Sequence, residues 1–426
     1  SASTSACGRW ARASSGWTPD AMTDPALLPV GVRDVLPVEA AELRVLGQTL
    51  ADAFGIFGYR EVMTPLVELA DVLGRADDQA AGRAYRLFDD EGRVLVLRPD
   101  LTIPIARLVA TRMADHPDPV RIAYNARAVR PPTSGKIEGA EQRQAGIELV
   151  GAAGADADAE VVAALARALA AAGVPDARIA VGSVALVSAV LDEADASEGA
   201  RAALWDALHA RSVVEWRRAA ADLGCTGPLG AIVSDLPALR GGPDVLDRVA
   251  GAAPAAAPEC ARMQEMLALA GRHGVPVPMI DLGVVRDWSY YSGVVIEAYA
   301  AGVAVPVAVG GRYDGLGARF GRPRPAVGVA VALDLLHHAV GRAAEREGAG
   351  VVLVGGADDL IEEATRLRAD GVAVVGVPRD CPDPDAVALA DGRRHVVRRE
   401  GNGWMVRDVI SGTRSELGDL GAGPWT

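Results

Sequence analysis

Apolar positions recur at helical spacing between residues 37 and 57, where Leu43, Leu46, Leu50 and Phe54 share one face and Gly55 and Gly58 mark the end. The spacing predicts an amphipathic helix. GYREVMTPLVE follows, and Pro65 within it predicts an extended segment at a sheet edge, since proline has no N–H for an interior ladder. Short β-like runs come next at 85–88, 94–97, 120–123 and 145–149, and their close spacing predicts an antiparallel sheet.

The pattern changes to alanine-rich helical stretches at 155–172, 199–223 and 258–273, so a mostly helical insertion is expected at about 152–278. Strand-like runs return at 278–281, 293–299 and 303–309 to complete the sheet, and a helix is expected over 333–347. VVLVGG from Val351, a helix over 358–370 and VAVVGV from Val372 give the β-α-β rhythm of a small parallel-sheet domain, expected over 342–426. Residues 1–21, rich in Ser, Ala and Thr, precede Met22 and read as an expression remnant or disordered extension. The main domain is therefore expected over 22–341.

Half of the 426 residues are hydrophobic and 23% are charged, which places the chain among folded proteins and not disordered ones. The net charge of −13 offers no broad positive field for phosphate backbones, so no nucleic-acid partner is expected. From Glu345 to Thr426 there are 15 acidic and 10 basic residues, where an RNA-binding domain would carry a basic face. Cys7, Cys225, Cys260 and Cys381 form no CxxC pair and have no histidine at metal-ligand spacing, so no metal site is expected and a reducing cytoplasm fits best. No uncharged apolar run reaches the ~18 residues of a membrane span, and the N-terminus lacks a signal-peptide layout.

Four segments carry candidate chemistry. In LRPDLT, Asp100 at a strand end can hold an ammonium group with Thr102 beside it, although a structural turn explains the same residues. After Arg143, strand alternation sends Gln144, Gly146 and Glu148 to one face and Ala145, Ile147 and Leu149 to the other. That polar row suits an amine and an imidazole in a cavity, or equally a solvent-facing sheet edge; Arg130 nearby suits a carboxylate or phosphate. Arg286, Tyr290 and Tyr291 can clamp and cover a small carboxylate ligand, against the alternative of core tyrosines. VGGRYDGLGARFG lacks a phosphate-cradling pattern and reads as a hairpin loop around Arg312. The histidines at 116, 209, 273, 337, 338 and 395 have no nucleophile or metal partner nearby in sequence and are assigned no role.

Taken in order, GYREVMTPLVE, LRPDLT, the segment from Arg130 to Glu148, VRDWSYY, GGRYDGL and PAVGVAVALDLL resemble the catalytic core of histidyl-tRNA synthetase over roughly 28–338. The resemblance implies an α+β class II synthetase-like fold, an antiparallel sheet flanked by helices, with a helical insertion and a small α/β C-terminal domain. It also implies a histidine pocket made of Asp100, Thr102, Arg130, Gln144, Glu148, Arg286, Tyr290 and Tyr291.

Two departures concern ATP. Where that family ends motif 3 with Glu-Arg, GVAVALDLL has Asp334 and Leu335, and in the motif 2 loop Glu138, Ala140 and Gln142 stand at arginine and aromatic places. Ser289 replaces an aspartate. Activation needs positive charge on departing pyrophosphate, and each ~1.4 kcal/mol lost is about tenfold in rate, so no catalytic residue and no cofactor are expected.

With these lesions the chain resembles the regulatory subunits of ATP phosphoribosyltransferase, the first enzyme of histidine biosynthesis. That resemblance implies a dimer assembled with the short catalytic subunit in a hetero-octamer, required for its activity and passing on feedback by L-histidine. A functioning histidyl-tRNA synthetase, or a paralogue holding another amine-bearing metabolite, are the alternatives.

Overall fold

The periodic segment behind Pro37 coils into helix α1 (Pro37–Ile56) in the computed structural model, burying Leu43, Leu46, Leu50 and Phe54. It stops where Gly58 adopts φ +83°, a left-handed value that costs glycine nothing. The structure describes residues 28–77, 82, 84–131, 139–284, 290–341, 348–401 and 403–417. Arg286, Ser289, Glu138 and the expected helix end at 342–347 lie outside them, as do residues 1–21. Two units result, one of Val30–Arg33 with Leu43–Gly341, the other of the remaining described residues, 28–29, 34–42 and 348–417.

In the larger unit β1 (Arg60–Glu61) follows α1, then β2 (Val67–Leu69), α2 (Ala70–Ala76), β3 (Arg86–Phe88), β4 (Val94–Leu97) and α3 (Thr102–Arg112). The long hairpin β5 (Val120–Val129) and β6 (Glu141–Val150) leads to α4 (Ala155–Ala171), β7 (Arg178–Ser183), α5 (Val184–Glu193), α6 (Glu198–His209), α7 (Val213–Ala221) and α8 (Gly227–Asp235). Then come β8 (Arg240–Gly241), α9 (Asp244–Ala252), α10 (Ala257–Arg272), β9 (Met279–Asp281), β10 (Val294–Tyr299), β11 (Ala308–Arg312), β12 (Ala326–Ala332) and α11 (Leu333–Val340).

Nine strands form one sheet in the order β1-β5-β6-β12-β11-β10-β7-β9-β8, antiparallel except at β1–β5 and β7–β9. The expected edge strand is β1. The early strands do not share one sheet, however. β3 and β4 are closed into a local hairpin by a turn in which Asp89 accepts from the Glu91 and Arg93 amides, and with β2 they make a separate three-stranded sheet. The stretch 152–278 is mostly helical, yet it supplies β7 to the sheet interior, between β10 and β9. The run expected at 303–309 lies instead at 308–312, because Gly310 and Gly311 let β11 approach β12 and Val294 more closely than any Cβ would allow.

The smaller unit has β13 (Gly348–Gly355), α12 (Ala357–Ala369), β14 (Val374–Pro378), α13 (Pro384–Ala390), β15 (Arg393–Glu400), β16 (Gly403–Asp408) and β17 (Arg414–Glu416). Its sheet runs β14-β13-β15-β16-β17. The β-α-β reading holds for β13–α12–β14, but β16 and β17 pair antiparallel, so the sheet is mixed and not parallel throughout.

Candidate functional site

β6 is paired by β5 from Glu141 to Val150 and by β12 from Gln144 to Val150, so the polar row from Gln144 to Glu148 cannot be a solvent-facing edge. Glu148 is 1% exposed and Gln144 is 9% exposed. Across the ladder Glu148 faces Gly328, where a Cβ would overlap its carboxylate, and Gly146 leaves room in the same way for the Tyr124 hydroxyl. The alternation read from sequence thus turns a row of polar groups into the molecule.

Thr102, the first residue of α3, donates its hydroxyl to Glu148 Oε1 at 2.9 Å, and the Tyr313 hydroxyl donates to Oε2. Burial still pushes the Glu148 carboxyl up to about 8 against these two donors, and the nearby Asp100 adds to the rise. Asp100 accepts from the Ile103 amide at 3.2 Å, capping the first turn of α3, while Tyr290 reaches its other oxygen at 3.4 Å. The turn reading therefore describes one oxygen of Asp100, and the other meets the Tyr290 hydroxyl. Burial raises its carboxyl to about 6, with Arg130 pulling the other way.

The rings of Tyr290 and Tyr291 are tilted by 56° with centres 5.0 Å apart, and Tyr290 meets Tyr313 edge-on at 5.9 Å. Burial keeps Tyr124, Tyr290 and Tyr313 far above the ordinary phenol value, so they remain neutral donors. Arg130 donates to Gln142 Oε1 at 2.6 Å, with Gln144 on the same oxygen at 3.4 Å. Seven of the eight expected pocket residues are described: Thr102 bonds to Glu148 and Tyr290 to Asp100, the Tyr291 ring lies tilted against Tyr290, and Arg130 and Gln144 meet at Gln142. Two buried carboxyl groups beneath phenol rings favour a ligand carrying a cationic nitrogen.

Tyr313 and Tyr124 are missed from sequence. The first sits one residue past Arg312 in GGRYDGL, and only β11–β12 pairing brings it to Glu148. Arg312 itself is not the centre of a loop. At the end of β11 it is 2% exposed and pairs with Asp158 on α4 at 2.7 Å, while Arg262 on α10 holds the other oxygen of Asp158 at 2.6 Å.

Beyond Gln144 the charges invert. Asp334, in the first turn of α11, takes the Arg143 guanidinium at 3.0 Å and Arg33 at 3.2 Å, and its other oxygen accepts from the Arg143 amide. Glu141 pairs with Arg127 at 3.3 Å. Asp334 engages both guanidinium groups and neutralises part of their charge, leaving less of it for an anion.

A family profile described as histidyl-tRNA synthetase matches residues 31–336. An ATP phosphoribosyltransferase regulatory subunit from Moorella thermoacetica is 40% identical over 380 residues, covering 86% of this chain and 97% of that protein. A Bacillus halodurans structure described as an ATP phosphoribosyltransferase regulatory subunit/histidyl-tRNA synthetase has a TM-score of 0.78 at 30% identity, over 89% of this chain and 99% of the other. A histidyl-tRNA synthetase from Nostoc sp. PCC 7120, at 22% identity, shares the fold with a TM-score of 0.77 over 93% and 98% of the two chains.

Proposed function

This chain belongs to the family of ATP phosphoribosyltransferase regulatory subunits, built on a histidyl-tRNA synthetase core, and from that membership we propose that it is a histidine sensor without chemistry of its own. The observation that carries the reading is the contrast between its two half-sites. The buried pair Asp100 and Glu148 is suited to the ammonium and imidazole of L-histidine, with Arg130, Gln144, Thr102, Tyr290 and Tyr291 around it. The adjoining half, where ATP would bind in a synthetase, is held by the Arg33–Asp334–Arg143 knot.

A short catalytic subunit would be the partner, and the chain would enter the assembly as a dimer. The three-stranded sheet supports self-association, because its polarity is inverted. Glu68 is buried while its neighbours Val67 and Leu69 point outward, and Met63 and Phe88 are 87% and 73% exposed. Among the described residues the outer edge of β3 pairs with no other strand, so a second copy can cover the same apolar patch about a two-fold axis.

Reconstitution tests the assignment. Addition of the full chain to the short catalytic subunit is expected to raise ATP phosphoribosyltransferase activity at least tenfold, an order of magnitude set by typical coupling energies, and L-histidine to reverse it. In an ATP–pyrophosphate exchange assay the chain alone should give no histidine-dependent signal; a signal there would establish the synthetase alternative.

Gly328→Ala tests the pocket from its opposite wall. A methyl group there meets the Glu148 carboxylate and, at 2.5 Å, the Ile147 carbonyl, so L-histidine binding is expected to fall below calorimetric detection and Tm to drop as the β6–β12 ladder adjusts, with thermal unfolding still cooperative. Unchanged affinity would place the ligand elsewhere.

A further inference from the structure

The apolar three-stranded sheet and the pocket are joined by two polar bridges. The first is Arg98, 5% exposed, which ends β4 two residues before Asp100. Its Nη1 donates to the carbonyls of Thr64 at 2.6 Å and Pro65 at 3.1 Å and to the Thr64 hydroxyl at 2.9 Å, while Nε donates to the Arg127 carbonyl at 2.8 Å. Its backbone amide bonds to Leu66 and its carbonyl accepts from Val129. One side chain thus ties together the segment entering the apolar sheet, the turn that holds Asp100, and β5, which ends one residue before Arg130.

The second bridge runs from β2 to α3. Glu68 faces inward between the outward Val67 and Leu69, and Arg107 grips it with two bonds, at 2.6 and 3.1 Å. Arg107 lies on the helix that opens with Thr102, the donor to Glu148. Pressure on the outer face of β2 is therefore carried through a nearly buried ion pair to the helix that supplies one pocket residue, and through Arg98 to the turn that supplies another. A planar guanidinium fixed in several directions transmits such a displacement, whereas a single flexible contact would absorb it.

We propose that self-association through the apolar sheet and ligand occupancy of the pocket are one coupled equilibrium, with Arg98 and the Glu68–Arg107 pair as positioning residues. This rests on the histidine and dimer reading above. Covering the sheet with a second copy sets the Arg98 clamp and the α3 axis, and these align Asp100 and Thr102 on the ligand. Coupling of this kind is reciprocal, so L-histidine must tighten association by the same free energy by which association tightens L-histidine.

The test uses the full chain, with sedimentation equilibrium in the presence and absence of L-histidine and calorimetry on the same samples. For the unaltered chain, saturating L-histidine is expected to strengthen association about tenfold, within the usual range of coupling energies. Phe88→Asp should be monomeric and bind L-histidine about tenfold more weakly by the same reciprocity. Arg98→Lys keeps the buried charge but cannot reach all three carbonyls; it should dimerise, bind weakly, and show no effect of L-histidine on association. Glu68→Gln is the second variant, with the same outcome expected should Arg98→Lys fold poorly. Association indifferent to L-histidine in the unaltered chain, or full coupling in a folded Arg98→Lys, would overturn the proposal while leaving the pocket assignment intact. A Phe88→Asp chain that remains dimeric would also overturn it, and absence of any L-histidine binding would remove the pocket assignment and the coupling together.

Discussion

Glu148→Gln is expected to weaken L-histidine binding at pH 8 by a hundredfold or more while leaving the fold in place. Glutamine keeps the shape and its amide oxygen still accepts from one of Thr102 and Tyr313, while the other hydroxyl must turn to accept from the amide nitrogen, so the main loss is the negative charge. Deleting one partner of a buried charge pair costs about 3 kcal/mol or more, which is about two orders of magnitude in affinity. The pH dependence follows from the same group. Its carboxyl is raised from an ordinary 4.5 to about 8 by burial, so its contribution to the stability of the free chain is fully present below about pH 4.5 and is lost as pH rises through 8. A bound ammonium supplies the missing countercharge and favours the carboxylate. Affinity should therefore rise between pH 6 and pH 8, with about one proton released on binding near pH 7. Calorimetry in buffers of different ionisation enthalpy measures that proton; the glutamine variant should release less, and equal release would assign it to another group.

The largest effect on stability is expected at Asp158. It is 1% exposed and joins Arg312 on β11 to Arg262 on α10, so Asp158→Ala leaves Arg312 buried without its main countercharge. Loss of one member of such a cluster costs about 3–5 kcal/mol. In a unit of this size that lowers Tm by roughly 10 °C, read by calorimetric melting. A shift under about 2 °C would mean that Asp314 and the Ala152 carbonyl satisfy Arg312 unaided.

The sequence made some of this legible because the signal was local. The 3.6-residue repeat of Leu43, Leu46, Leu50 and Phe54 specifies α1, and strict alternation places Gln144 and Glu148 on one face of β6. Which face is buried depended on β12, nearly two hundred residues away, so pocket and edge were equally consistent with the row itself. β7 is hidden because RIAVGS sits among alanine-rich helices and carries Gly182, whose bareness is explained by the close approach of the Asp281 and Val284 carbonyls. The three-stranded sheet was merged with the main one for the same reason, since strand runs are local and partner choice is not. Tyr313 is the instructive omission. The charged Arg312 of GGRYDGL forms an internal ion pair, while the phenol of Tyr313 beside it makes the contact with Glu148.

The most direct measurement is a pair of calorimetric titrations of the full chain at pH 8, one with L-histidine and one with MgATP. If Asp100 and Glu148 hold the ligand and Asp334 keeps Arg33 and Arg143 from a nucleotide, the chain takes up L-histidine saturably and gives no heat of binding with MgATP. Binding of MgATP, or no binding of L-histidine, would contradict it.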